Sequence, residues 1–151
     1  MRLLAIGRQR QSAEAELFER YAARIRPRFL LQEFNDGTGT AGEIKRREAA
    51  ALLAAITASD FVVALDGGGK APDSASFAAM LANWADSGAK PCFIIGGAEG
   101  LDASVIGRAD ATLSLGAMTW PHLLVRPMLA EQIYRAQMIN IGHPYHRAGR
   151  P

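Results

Sequence analysis

Three histidines, one cysteine and three glycine-rich loops carry most of the chemistry open to this chain. His122, His143 and His146 lack metal spacing: no H-x-x-x-H occurs, and the lone Cys92 offers no second thiolate, so no metal centre is expected. Cys92 lies in the apolar run Cys92–Ile95 with no activating base beside it, which reads as a core thiol and not a nucleophile. No G-x-S-x-G elbow is present, and acidic residues are sparse near the later loops, Glu99 excepted, so neither a hydrolase triad nor a glycosidase pair can be assembled. Asp66-Gly67-Gly68-Gly69-Lys70 has the look of a phosphate loop. The G-x-x-x-x-G-K-[ST] pattern fails, however, because Ala71 follows Lys70 and the spacing is wrong, and G-x-G-x-x-G is absent too. Such glycines suit close approach of backbone to a ligand or another chain.

Two further loops remain, Gly96–Gly100 and Gly116–Pro121, each following an apolar run. Buried strands that end in glycine turns bring bare backbone to the carboxyl edge of a sheet, where open α/β folds bind ligands. One pocket built largely from backbone, with the helix entry Thr119-Trp120-Pro121-His122 beside it, suits an adenosine-type ligand. Methyl transfer from S-adenosylmethionine fits such a site. The sulfonium is already activated, its charge disperses in the transition state, and catalysis then rests on in-line positioning and removal of one proton.

The elements that must place these loops follow from periodicity. Leu3–Ile6 reads as a first strand ended by Gly7. Leu17, Phe18, Tyr21, Ala22 and Ile25 form one stripe of a helix over Ser12–Arg26, stopped by Pro27. Phe29–Phe34 is a second strand. Thr40 and Glu43 form a capping box for a helix reaching about Ala58, with Ile44, Leu52, Ala55 and Ile56 facing inward. Lys45, Arg46 and Arg47 oppose the macrodipole of its first turns; an RNA phosphate and a solvated face account for them equally.

Phe61–Leu65 is a fully buried third strand, and its glycine loop leads to a helix opening at Ser74 or Ser76 and ending near Gly88. In that helix Trp84 reads as core rather than as a stacking platform. Cys92–Ile95 is the fourth strand, Asp102 caps a short helix through Ala109, and Leu113–Leu115 is the fifth strand. The last helix is expected to start near Leu123 or Leu124, so that Pro127 falls among the first four N–H positions, and to end about Ile139. Alternating strands and helices indicate an α/β fold with a mostly parallel sheet.

With 151 residues, 49% hydrophobic and 21% charged, the chain suits one folded domain over 1–151. No repeat or linker divides it. Apolar runs stay far below a membrane span, and the apolar run at the N-terminus is too short for a signal peptide, so the cytoplasm is the expected compartment. The net charge of +2 is uneven: residues 1–50 carry 10 basic and 7 acidic groups, 51–100 carry 2 and 5, and 101–151 carry 5 and 3. Basic ends permit nucleic-acid contact without demanding it.

FIIGGAEGL, LSLGAMTWPH, LLVR, EQIYRA, the terminal HPYHR and the strand-end LDGGGK together resemble the ribosomal RNA large subunit methyltransferase H family, over essentially the whole chain. These are SPOUT enzymes that methylate N3 of a pseudouridine in 23S rRNA. The resemblance implies a SPOUT-type α/β knot with a C-terminal deep trefoil knot, S-adenosylmethionine as methyl donor, and a homodimer with the site shared across its interface. It also implies 23S rRNA in the assembled ribosome as partner, with no DNA and no membrane. Carried over by position, Leu65, Gly96, Leu115, Gly116, Ala117, Met118, Thr119 and Trp120 would contact the cofactor. His122, Arg126, Glu131, Tyr134 and Arg135 match the last-helix pattern, Tyr134 and Arg135 serving the site or the dimer interface. His143, Tyr145 and His146 match a tail expected at the target base. The catalytic set is then His146, Tyr145, His143 and Arg135, with His146 or Tyr145 helping to remove the N3 proton. Two departures stand out: Ala148-Gly149-Arg150-Pro151 replaces an acidic end, and Trp120 stands where smaller aliphatic residues are usual. A non-catalytic assembly factor of the same fold and a SPOUT enzyme acting on tRNA are the alternative readings.

Overall fold

The chain alternates strand and helix five times: β1 (Arg2–Ile6), α1 (Ala13–Ala22), β2 (Leu30–Phe34), α2 (Ala41–Ala55), β3 (Asp60–Lys70), α3 (Ser74–Asp86), β4 (Lys90–Ile95), α4 (Ala103–Arg108), β5 (Ala111–Leu113) and α5 (His122–Asn140). This computed structural model describes residues 1–147, and the divergent Ala148–Pro151 end lies outside the described residues. The five strands form one sheet in the order β2-β1-β4-β3-β5, and every pairing is parallel. Among the described residues no helix is long and apolar enough to cross a membrane.

Strand residues alternate between two cores because successive Cβ atoms point to opposite faces. Leu3, Ala5, Val63, Phe93 and Ile95 pack under α1, α3 and α5. Leu4, Ile6, Val62, Ala64, Cys92 and Ile94 pack under α2 and α4. The unbroken apolar runs FVVA and CFII are what a sheet covered on both faces requires, and each large side chain buried there contributes about 1.5–3 kcal/mol. Trp84 belongs to the first core, its ring 5.2 Å from Phe61 and 6.4 Å from Phe93, as its spacing implied.

Cys92 is wholly buried, and burial, reinforced by the charge of Asp60, pushes its thiol up to about 11. At pH 8 the native protein should therefore leave a thiol-reactive dye unreacted, with one equivalent of reaction appearing only in denaturant. Rapid reaction of the folded protein would contradict this burial.

Several boundaries differ from the sequence expectation, each for a tertiary reason. α1 ends at Ala22, not Arg26: the N–H groups of Arg24 and Ile25 reach back only three residues, to Tyr21 and Ala22, and tighten the chain into turns that still bury Ile25. α2 stops at Ala55, whereas α3 opens at Ser74 as expected, capped by Asp73, which accepts from the Ser76 N–H at 2.7 Å. β3 does not end at Leu65. Its register slips, so that Leu65 and Lys70 both pair with Leu113, and Asp66–Gly69 bulges between them. A Cβ on Gly69 would stand 2.7–2.8 Å from the backbone of Thr112 and Leu113, so the close approach that Gly69 permits is to β5 of the same chain. β5 occupies Ala111–Leu113, two residues before the expected run; the Ser114 N–H still donates to the Lys70 carbonyl at 2.8 Å, and its hydroxyl accepts from the Gly116 N–H at 3.2 Å where the chain turns away. α5 starts at His122, so Pro127 is its sixth residue and not part of the first turn. The Leu123 carbonyl therefore has no i+4 N–H to accept from.

Candidate functional site: a backbone-walled cleft at the carboxyl edge of the sheet

The ends of β3, β4 and β5 lie side by side, and their loops enclose a cleft of about 280 Å³. All eight positions expected to touch a cofactor line it: Leu65, Gly96 and the continuous stretch Leu115–Trp120. The Gly96–Gly100 wall is closed by a hydrogen bond from the Gly100 N–H to the Gly97 carbonyl at 3.0 Å. It is pinned below by Leu101, which is buried in the core shared with α2 and α4. In the opposite wall Gly116 adopts φ +116°, and a Cβ there would meet nothing within 4 Å. Met118 is 70% exposed at the mouth.

The arrangement fits an adenosine-type group. Glycine backbone supplies amide donors and acceptors, the apolar side chains of Leu65 and Leu115 supply faces, and the volume sits near the low end of the roughly 300–1,000 Å³ of ligand sites. Trp120 sharpens the fit. Its Nε1 is buried without a hydrogen-bond partner among the described residues, a donor whose desolvation a ligand acceptor would offset.

A network behind the cleft fixes its second wall. Gly7, at the end of β1 with φ +86°, lies where His122, Asp36 and Arg126 converge: a Cβ there would come within 3.1 Å of His122 Nε2, 3.3 Å of Asp36 Oδ1 and 3.6 Å of Arg126 Nη2. Arg126 is wholly buried and donates to Glu33 Oε1 at 2.6 Å, the Ile6 carbonyl at 2.7 Å and the Gly7 carbonyl at 2.5 Å. Burial pushes its pKa down, against the hydrogen bond and charge of Glu33. Since α5 begins at His122, this clamp holds the helix entry that the Trp120 wall runs into.

The other expected residues lie elsewhere. None of Arg135, His143, Tyr145 and His146 lines the cleft. The tail folds back on α5, where the Tyr145 hydroxyl donates to Glu131 Oε1 at 3.0 Å and Arg135 Nη2 donates to the same oxygen at 2.5 Å. The Arg135 guanidinium lies 5.0 Å over the Tyr145 ring, which meets Tyr134 edge-on at 4.8 Å. His143 Nδ1 accepts from the Tyr145 N–H at 3.1 Å, and His146 is half-buried one residue on. Burial first, then the hydrogen bonds with Tyr21 and Glu131, raise the Tyr145 phenol well above its ordinary value. Arg135 is held more firmly cationic by Glu131.

The sequence reading overlooked two acidic residues. Glu33 faces Arg126 from β2. Glu48 is 5% exposed, its Oε1 accepting from the Gly37 N–H at 3.0 Å while its oxygens lie beneath Gly97. A signal for Glu48 was present, since it falls midway between Ile44 and Leu52 at i, i+4, i+8 on the inward stripe. Lys45 and Arg46 stand near Asp102 and help to lower its pKa, after the larger effect of the Ser104 N–H and hydroxyl, while Arg47 donates to the Thr38 carbonyl at 2.7 Å.

Comparison with known proteins agrees with this geometry. Residues 1–146 match the family model described as "Predicted SPOUT methyltransferase". The ribosomal RNA large subunit methyltransferase H of Acidiphilium cryptum (strain JF-5) is 60% identical over 151 residues, covering 100% of this chain and 96% of the relative. The protein of that name from Gluconacetobacter diazotrophicus is 57% identical, covering 100% and 99%. A solved structure from Neisseria gonorrhoeae, assigned to a methylase family, superposes with a TM-score of 0.53 at 11% identity, over 99% of this chain and 86% of that one; it speaks to the fold alone. By these matches the chain belongs to the SPOUT methyltransferase family, among the ribosomal RNA large subunit methyltransferases H.

Proposed function

We propose that this chain transfers the methyl group of S-adenosylmethionine to N3 of a pseudouridine in 23S rRNA of the assembled ribosome. It would act in the cytoplasm as a homodimer of single SPOUT domains spanning 1–151, each closed by a C-terminal trefoil knot. The relatives' shared name supports rRNA as the substrate. The observation that carries the reading is the cleft itself: one strand-end pocket gathers Leu65, Gly96 and Leu115–Trp120. When bound, the cofactor supplies a methyl group already activated on sulfur.

The chain's own part is positional. The Gly96 and Leu115–Trp120 backbone holds the adenine, and the Arg126 clamp keeps that wall in place. The Tyr145 phenol, kept protonated and donating to Glu131, fixes the tail rather than acting as a base. His146 is then the group that removes the N3 proton, and Arg135, cationic beside Glu131, offsets the charge left on the base.

Incubation of the protein with labelled cofactor and ribosomes from a strain lacking the activity tests the reading. Label on a 23S pseudouridine is expected. Tight cofactor binding without rRNA label would favour a non-catalytic assembly factor, and label in tRNA a different SPOUT substrate. In the same assay His146→Ala should lower turnover about 100-fold while cofactor affinity stays within a few-fold. A collapse of affinity would instead assign the tail to the cofactor site. Sedimentation showing a fully active monomer would contradict the shared site.

A further inference from the structure

The cofactor cleft has an acidic lining and an unpaired carboxylate behind one wall. Among the described residues no lysine or arginine lines it; Asp66, in the β3 bulge, is its one carboxylate, and His122 its other ionisable group. Behind the Gly96–Gly100 wall stands a second carboxylate, Glu48 of α2. We propose that Asp66 and Glu48 make the cleft select by charge, favouring the sulfonium of S-adenosylmethionine over the neutral thioether left after transfer; the proposal rests on the methyltransferase reading above.

Three observations carry it. First, Glu48 is a buried carboxylate that lacks a cation. Its Oε1 accepts from the Gly37 N–H at 3.0 Å, its Oε2 has no hydrogen-bond partner among the described residues, and none of the ion pairs among them includes it. Burying such a group is costly, and a cation brought near it offsets part of that cost. Second, it stands one residue away from the ligand space. Gly97 lines the cleft, and a Cβ on Gly97 would lie 2.9 Å from both Glu48 oxygens. Protein rather than water fills that gap, so the attraction is weakly screened. Third, the cations that could cancel these charges are matched elsewhere. Arg126, behind the second wall, donates to Glu33 Oε1 at 2.6 Å, Arg47 donates to the Thr38 carbonyl at 2.7 Å, and Lys45 and Arg46 stand near Asp102. Lys70, exposed at the end of the bulge, lies outside the lining. Asp66, whose Oδ1 accepts from the Gly68 N–H at 2.9 Å, adds negative charge from the β3 side. A cleft lined by one sign of charge between apolar walls focuses its field on the ligand.

Donor and product differ by one charge, at sulfur. When N3 takes the methyl group, the carbon–sulfur bonding pair stays on sulfur and the N3 proton passes to His146, so the cation becomes a neutral thioether. The attraction ends with the transfer. The cleft thus holds its donor more tightly than its product, which favours turnover.

Calorimetry with S-adenosylmethionine and S-adenosylhomocysteine tests the assignment. Wild type should bind the sulfonium at least about tenfold more tightly than the thioether. Glu48→Gln keeps the side-chain volume and an acceptor for the Gly37 N–H but removes the charge. It should weaken S-adenosylmethionine binding about tenfold while S-adenosylhomocysteine stays within about twofold of wild type. An analogue with an amine-bearing carbon in place of the sulfonium should follow the sulfonium. Asp66→Asn, at a half-buried bulge position, should give a smaller selective loss, about threefold, and provides the readout where Glu48→Gln does not fold. An equal change for both ligands, or none, would make these residues structural and overturn the proposal. A wild type that binds both ligands equally would overturn it without any variant. The cofactor reading is judged separately: tight binding of S-adenosylmethionine by wild type upholds it whatever the variants do. If wild type binds neither compound, that reading falls and the charge selection with it.

Discussion

Gly96→Val is expected to weaken S-adenosylmethionine binding by more than 100-fold in calorimetry. Gly96 follows the last residue of β4 and opens the first wall of the cleft. A single Cβ at this position would lie 3.0 Å from the Gly100 carbonyl carbon, the Leu101 nitrogen and Leu101 Cδ2. Two of those three atoms are backbone and cannot move without opening the loop, and valine adds two further methyl groups. Nor can the loop settle downward: a Cβ at the neighbouring Gly97 would already lie 2.9 Å from the Glu48 carboxylate and 3.0 Å from Ile6. The wall must therefore move toward the cleft, displacing the backbone groups that would hold the adenine. The mechanism is loop displacement, not the valine side chain occupying ligand space. Affinity equal to wild type would sink the assignment of this cleft to the cofactor.

Arg126→Met should lower stability by about 3–5 kcal/mol, the cost of breaking a buried ion pair from one side. The substitution keeps much of the aliphatic volume but leaves the Ile6 and Gly7 carbonyls without their donor and Glu33 without its counter-charge. Glu33 also accepts from the Gln9 N–H at 2.8 Å, so the same carboxylate organises the loop after β1. Arg126→Lys, with one ammonium in place of a fork, should recover only part of the loss. Urea unfolding reads both variants, and a change below about 1 kcal/mol would mean that the clamp is not what holds α5 to β1 and β2. Because His122 lies one turn before Arg126, cofactor affinity should fall with stability in the methionine variant.

Local chemistry was enough to place most elements. The runs Leu3–Ile6, FVVAL and CFII are strands, Ser12 and Asp102 cap helices, and Thr40 with Glu43 forms its capping box in full. Each depends on neighbours within a few residues, so periodicity and cap chemistry suffice to find it. The glycine loops were likewise recognisable as walls of one cleft, because a strand end followed by glycine has the same consequence wherever the strand sits in the sheet. Family likeness of the motifs then supplied the positions that line it.

What only the tertiary structure decided involves partners far apart in the chain. Continuation of β3 to Lys70 depends on a register slip against Leu113, and Gly69 is required by the backbone of β5, about forty residues away in sequence. The turn after β5 depends on the Ser114 hydroxyl meeting the Gly116 backbone, and α5 is tied to β1 by Arg126 donating to the Ile6 carbonyl. Glu33 and Arg126 are 93 residues apart, and no local pattern announces such a pair. Anchoring of the tail to Glu131 is nearer in sequence, but it needs the chain to reverse after α5 and lay Tyr145 on the helix it has just left. Local sequence thus determined which segments are strands, helices and glycine turns, since those depend on backbone preference and hydrophobic spacing. Folding alone decided which buried charges meet, because their meeting depends on sheet order and register.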